Sequence, residues 1–269
     1  MIRGRTAVVT GGASGIGRGI ALALAGRGCN LALADLDEAG LAETGALLAL
    51  HRVKVTTHRV DVADRAAVAA FPDAVEKAHA GADILVNNAG VALGGTFEEI
   101  AEEDFEWLFE INFWGVIRMT RAFLPLLRRS DDAHIVNISS LFGLIAPPGQ
   151  SAYCASKFAV RGFSESLRRE LEAEGAKIAV TTVHPGGVNT SIADNARVPK
   201  DRDSDQLARD RDTFRKFLVM PPERAGEIIV AGMERGKPRI IVGNDARTAS
   251  LIERIAPVSY WKHLQRRMR

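Results

Sequence analysis

The chain has little of what would tie it to a membrane, a metal or an oxidising compartment. It holds two cysteines, Cys29 and Cys154. Each lies at or in a helical stretch, so both are expected to be half-buried thiols in a reducing, cytoplasmic setting, with no disulfide. No apolar run approaches the ~18 residues that a bilayer span requires. The opening residues Met1-Ile2-Arg3-Gly4-Arg5 enter a strand-like run without the apolar core and cleavage site of a secretory signal. Neither sign of charge dominates, since the formal net charge is +2. That balance gives no electrostatic reason to expect nucleic acid. His184 stands apart from any His, Cys or Asp cluster with ligand spacing, so it is expected to pack, and no metal is expected.

What is present is alternation. Short apolar runs that read as buried strands are Thr6–Thr10, Asn30–Ala34, Lys54–Arg59, Ile84–Asn87, His134–Ile138, Ile178–Val183 and Arg239–Val242. Between them lie stretches with helical spacing, among them Gly17–Arg27, Leu41–His51, Arg65–Ala78, Phe105–Arg128 and Ala152–Glu172. Strands alternating with helices predict βαβ units, whose right-handed crossovers build a parallel sheet covered on both faces. The expected fold is α/β: one Rossmann-like, doubly wound domain with about seven strands. At 269 residues such a domain buries enough surface to stand without cross-links. The segment from Asn189 to Phe217 breaks the pattern with a dense mix of Asp, Arg and Lys. It reads as a substrate lid, as a solvated surface helix, or as both. A basic extension occupies residues 244–269.

The first strand runs into Gly11-Gly12-Ala13-Ser14-Gly15-Ile16-Gly17 and then a helix. Glycines permit a tight turn and close backbone approach, and a helix start offers free N–H groups to an anion. In this context the run predicts a cradle for a pyrophosphate. The second strand ends on Asp35, 24 residues past Gly11. A carboxylate there can accept from both ribose hydroxyls of an adenosine and would repel a 2′-phosphate. No Lys or Arg follows at Leu36, Ser14 is not basic, and the nearest cation, Arg18, already belongs to the helix. These residues favour NAD over NADP.

Tyr153 and Lys157 stand four residues apart on a helix, hence on one face. An ammonium beside a phenol lowers its pKa and makes it a usable acid or base. Such pairs are commonplace alone. Here, however, the strand Ile135–Ile138 ends in Ser139-Ser140 thirteen residues before Tyr153. A hydroxyl at the carboxyl end of a parallel strand faces the ligand crevice and can donate to a carbonyl oxygen as its charge grows.

Taken in order, Thr10-Gly11, Gly15-Ile16-Gly17, Asp61-Val62, Asn87-Asn88-Ala89-Gly90, Asn112, Ser140, Tyr153 with Lys157, and Pro185-Gly186, Val188 and Thr190 resemble the short-chain dehydrogenases/reductases from Thr6 to about Val242. The resemblance implies that Ser140 orients the substrate oxygen and Tyr153 exchanges a proton with it. It implies that Lys157 holds the nicotinamide ribose and lowers the Tyr153 pKa, while Asn112 anchors a water relay. Asp61 and Val62 would meet the adenine, and Asn88, Ala89 and Gly90 would line the cofactor. Ile16 would back the pyrophosphate, and Thr190 and the Val188 backbone would bond the carboxamide. Asn87 would tie strands together, and the spacing leaves Ser139 as a strand-end hydroxyl.

The residues flanking these motifs are mostly apolar: Val91, Ala92, Leu93, Leu141, Phe142, Leu144, Gln150 and Gly187. They point to a hydrophobic secondary alcohol or its ketone. Readings kept beside this one are an NADP-dependent 3-oxoacyl-type reductase and a non-catalytic dinucleotide-binding protein. The tail Ser259–Arg269 is basic with Tyr260 and Trp261 at its start, which suits an anionic membrane surface, a subunit contact or the cleft. The resemblance further implies a homodimer or homotetramer paired through the helices that carry Asn112 and Tyr153.

Overall fold

The computed structural model describes residues 2–199, 209, 212 and 215–268. Much of the expected lid, residues 200–208, 210, 211, 213 and 214, and Arg269 of the tail lie outside the described residues. In chain order the elements are β1 (Thr6–Thr10), α1 (Gly15–Ala25), β2 (Asn30–Asp35), α2 (Glu38–Leu48), β3 (Val55–Arg59), α3 (Arg65–His79) and β4 (Ile84–Asn87). Then come α4 (Glu102–Phe109), α5 (Gly115–Leu127), β5 (Ala133–Ile138), α6 (Ser151–Ala173), β6 (Ile178–Pro185), α7 (Pro222–Glu234), β7 (Arg239–Val242), α8 (Asn244–Ile255) and α9 (Tyr260–Met268).

The described strands form one seven-stranded sheet in the order β3-β2-β1-β4-β5-β6-β7, parallel throughout. Alternate side chains feed two cores, as a pleated strand covered on both faces requires. Ala7 and Val9 of β1 join Leu24, Leu33 and Ile229 on one face. Val8 between them joins Phe71, Met119 and Phe123 on the other. The chain winds outward in opposite directions from β1 and β4. These two strands therefore open a crevice at their carboxyl ends, where ligands of such sheets bind.

Side-chain caps set the starts of α2 and α3. Asp37 accepts from Gly40 N at 3.0 Å and starts α2 at Glu38, upstream of the expected Leu41. Asp64 caps α3 in the same way, taking the N–H groups of Ala66 and Ala67 at 2.8 and 3.1 Å. The helix expected over Phe105–Arg128 is interrupted by a π turn, Glu110–Trp114, between α4 and α5. Such a turn inserts a residue and re-aims side chains, often at functional sites. Asn112 sits in this one. Where α1 meets α7, Gly19 and Gly226 face each other so closely that a Cβ on either would lie 2.2 Å from backbone of the other helix or its start. Both cysteines are fully buried rather than half-buried, with burial pushing each thiol up to about 12.

Candidate active site

The glycine loop forms at the carboxyl end of β1. Gly11 and Gly15 adopt φ +66° and +53°, a region that disfavours side chains. Gly17 admits no side chain at all, because a Cβ would lie 1.9 Å from Gly11 O and 2.6 Å from Asn88 Nδ2. Exposed Ser14 precedes α1 and does not cap it through its side chain. The first N–H groups of α1 at Gly15, Ile16 and Gly17 are therefore turned toward the crevice with no intrahelical acceptor.

Two neighbours brace this loop. Thr10 Oγ1 accepts from Asn88 N and Ala89 N, both at 3.0 Å. The Asn88 amide donates to Thr10 O at 3.0 Å and Gly11 O at 3.1 Å. Asn88 is thus a strut between β4 and the loop, with its amide nitrogen given to that contact. Thr10 belongs to the glycine motif, but its bracing role depends on a β1–β4 contact that spacing does not reveal.

Asp35 lies at the end of β2. Its carboxylate accepts from Ala13 N at 3.0 Å, Leu36 N at 2.7 Å and Asp37 N at 3.2 Å. A carboxylate offers about four acceptor sites, so there is room for roughly one further donor instead of two ribose hydroxyls. Arg18 donates to Ala13 O at 2.5 Å, Thr44 Oγ1 at 2.9 Å and Glu43 Oε2 at 2.9 Å. Asp61 holds its own turn by accepting from Ala63 N at 2.8 Å, and Val62 is buried against Gly115 of α5.

On the other side of the crevice, α6 brings Tyr153 and Lys157 to the ends of β4 and β5. Lys157 is buried, donates to Ile138 O at 3.2 Å, and stands 5.6 Å from the centre of the Tyr153 ring. Burial lowers its pKa to about 8. Burial also raises Tyr153, to about 12, with a hydrogen bond to the Ser140 side chain pulling the other way. The expectation that the phenol would lie below its usual value is therefore corrected: loss of hydration on burial outweighs the hydrogen bond from Ser140.

Ser140 is set by three contacts. Its Oγ accepts from Phe142 N at 3.1 Å. Its hydroxyl meets Tyr153. Its carbonyl lies 2.9 Å from His184 Nδ1. A carbonyl only accepts, so His184 carries its proton on Nδ1 there. The ring stays neutral, its pKa lowered by burial to about 4, and Nε2 is left buried without a partner. His184 packs, as expected, but it also fixes the strand end that carries Ser140. Ser139 donates to Lys157 O at 2.8 Å, a structural contact between β5 and α6.

Asn112 is wholly buried and clamps the loop after β4, accepting from Val91 N at 2.8 Å and donating to Val91 O at 3.0 Å. Its amide also reaches Ser156 Oγ at 3.3 Å. Gly90 lies between Asn112 and Lys157, where a Cβ would sit 3.1 Å from Asn112 Oδ1 and 3.4 Å from Lys157 Nζ. Asn87 links β4 to β5 and α5 through Asn137 Oδ1 at 2.8 Å and Thr120 Oγ1 at 3.0 Å.

The loop after β6 closes the crevice. Thr190 approaches the phosphate loop, its Cγ2 lying 3.1 Å from where a Gly15 Cβ would be. Val188 is buried and its N–H donates to Gly186 O at 2.9 Å. Asp245 of α8 pins this loop by accepting from Gly187 N at 2.7 Å. A Cβ at Gly186 would meet the same carboxylate at 2.2 Å. Sequence reasoning missed Asp245, which comes from 58 residues downstream.

Of the candidate pocket residues, Leu141, Phe142, Gln150 and Gly187 are partly exposed at the cleft. Phe142 meets Tyr153 edge to face at 6.2 Å. Gln150 Nε2 lies beside Gly94. Leu93 and Leu144 are instead buried packing residues. Among the described residues, no group of His, Cys, Asp and Glu is arranged to hold a metal.

A family model described as short chain dehydrogenase matches residues 5–201. The chain belongs to the short-chain dehydrogenase family. As a member it is an oxidoreductase acting on CH–OH groups with NAD(P). The protein SadH of Mycobacterium tuberculosis is 45% identical over 257 residues, spanning 96% of this chain and 92% of that protein. The oxidoreductase UcpA of Salmonella typhimurium is 37% identical over 195 residues, spanning 72% and 73%. A short-chain dehydrogenase/reductase from Burkholderia phymatum, solved in complex with NAD, superposes with a TM-score of 0.86 at 32% identity over 94% of each chain.

Proposed function

We propose that this dehydrogenase uses NAD to interconvert a hydrophobic secondary alcohol and its ketone, with Asn112, Ser140, Tyr153 and Lys157 carrying the chemistry. The observation that carries the reading is the meeting of Tyr153, Ser140 and Lys157 at the ends of β4 and β5, across from a glycine cradle with no room for side chains. A dinucleotide fits that cradle: α1 offers its N–H groups to a pyrophosphate, and Asp35 keeps about one acceptor site for a ribose hydroxyl. Bound NAD supplies the hydride acceptor.

Lys157, cationic below about pH 8, binds the nicotinamide ribose hydroxyls. Ser140 orients the substrate oxygen. In reduction the Tyr153 hydroxyl gives its proton to the carbonyl oxygen; in oxidation Tyr153 takes the hydroxyl proton as the phenolate, having first released its own proton. A phenol held up at about 12 is fully protonated at neutral pH, which suits proton donation. Asn112, in its π turn, links Lys157 toward solvent through a water relay.

The preference for NAD rests on Asp35 and on Arg18, whose guanidinium is engaged by Thr44 and Glu43. The NAD complex of the Burkholderia relative is consistent with it. Leu141 and Phe142 favour an apolar substrate. Trp114 and Phe158, 45% and 39% exposed on the helical elements carrying Asn112 and Tyr153, suit burial against a second copy. Buried, unpaired thiols at Cys29 and Cys154 suit the cytoplasm. Initial rates over a panel of hydrophobic secondary alcohols with NAD and with NADP test the reading. The expected result is turnover with NAD at least about tenfold more efficient than with NADP; preference for NADP would favour the 3-oxoacyl-type alternative.

A further inference from the structure

Past β7 the chain changes character. Residues 244–269 hold six Lys and Arg against two acids, while the whole chain carries only +2. The extension is thus basic on a body that is slightly acidic. One of its two acids, Asp245, is exposed but engaged by Gly187 N–H, and the other, Glu253, is half-buried.

Beside Asn244, Asp245 and Thr248, α8 exposes two aliphatic side chains and two arginines. Leu251, Ile255 and Val258 are 58%, 74% and 95% exposed. Leu251 and Ile255 share one face at i and i+4. Arg247, one turn before Leu251, and Arg254 flank them, and Lys262 and Arg266 of α9 continue the basic surface; all four are exposed. Among the described residues none of these four cations has an acidic partner.

We propose that the face of α8 and α9 formed by Leu251, Ile255 and Val258 with Arg247, Arg254, Lys262 and Arg266 docks the enzyme on an anionic lipid surface. Apolar side chains ringed by cations suit the boundary between headgroups and acyl chains. The same face is a poor match for a second copy of the chain. A two-fold contact sets a patch against itself, which would bring Arg247, Arg254, Lys262 and Arg266 against their own kind. Nor does it suit a nucleic acid, whose phosphates would leave the three aliphatic side chains without a role. No described helix is long and apolar enough to cross a membrane, so the contact is peripheral.

The docking face adjoins the cleft. Tyr260, at the start of α9, accepts through its hydroxyl from Ala146 N at 2.9 Å. Ala146 lies on the loop between Ser140 and Tyr153. A lipid surface beneath α8 and α9 therefore sits beside the wall of the substrate cleft, where a hydrophobic alcohol could enter from the lipid. The binding itself does not depend on the proposed chemistry, and its test does not read turnover.

The experiment is co-sedimentation of the full chain with vesicles of phosphatidylcholine alone or mixed with phosphatidylglycerol, at low and high salt. Each cation near an anionic surface contributes about fivefold in partitioning. The expected result is pelleting with the mixed vesicles, weakened by salt. The variant Arg247→Glu, Arg254→Glu, Lys262→Glu should lose more than about 100-fold, and Leu251→Glu with Ile255→Glu should lose binding while keeping the wild-type melting temperature. Equal pelleting on both vesicle types, or none on either, would overturn the proposal. So would a Leu251, Ile255 double variant that still binds vesicles but elutes at a smaller assembly size, since the face would then belong to a second copy.

Discussion

The phosphate-binding side of the crevice and its substrate side are built differently. At the first, backbone packs on backbone. Gly17 touches Gly11, Thr10 and Asn88 lock β1 to β4, and the residues that do this lie within the first ninety of the chain. At the second, the walls come from returns of distant chain. Asp245 reaches Gly187, Tyr260 reaches Ala146, and Arg197 stacks on Trp107 at 3.6 Å while pairing with Asp104. The first arrangement leaves almost no freedom in sequence. The second can be rebuilt by changing loops and tail without disturbing the sheet, which is how one scaffold serves many substrates.

If that contrast is correct, the largest effect belongs to the phosphate side. Gly17→Ala puts a Cβ 1.9 Å from Gly11 O, and since backbone cannot yield as a side chain can, NAD affinity should fall by at least about 100-fold. Calorimetric titration measures it. Affinity within a few-fold of wild type would mean that the loop is as adaptable as the substrate wall.

Lys157, at the junction of the two regions, gives an effect on stability. Its pKa of about 8 in the folded chain lies below the ordinary 10.5. Below pH 8 both folded and unfolded chains hold the proton, and the folded state carries the full penalty of about 3 kcal/mol. Between about pH 8 and 10.5 the unfolded chain binds the proton and the folded chain does not, so the wild type gains stability as pH rises. Lys157→Met should abolish turnover yet stabilise the fold at pH 7 by about 2 kcal/mol, after about 1 kcal/mol is subtracted for the lost bond to Ile138. Denaturant melts at pH 7 and above pH 10 check both points, because the advantage should vanish at the higher pH. A variant less stable than wild type at pH 7 would contradict it.

The smallest of these effects comes from the substrate side. Asp245→Ala frees the Pro185–Val188 loop and should raise KM about tenfold with kcat less changed. Asp245→Asn retains an acceptor for Gly187 N–H and should restore most of the loss. Equal defects in both variants would point to charge instead of loop placement.

The same contrast explains how much could be read from sequence. Strand cores, the glycine loop, and the spacing of Ser140, Tyr153 and Lys157 were legible because local pattern dictates them: β1 alternates between two cores, and Gly17 admits nothing larger. The strut role of Asn88, the grip of His184 on the Ser140 carbonyl, and the reach of Asp245 were not, because each depends on a contact between residues far apart in the chain. The direction of the Tyr153 shift was also misread. Spacing shows that an ammonium is near, but burial, which decides the sign here, is a property of the folded environment.

The most direct test of the account is Tyr153→Phe, assayed for oxidation of a secondary alcohol that the wild type turns over, with NAD binding measured in parallel. Loss of turnover by at least about 1000-fold, with NAD affinity within a few-fold of wild type, is the predicted result. Appreciable turnover without the hydroxyl would show that another group moves the proton.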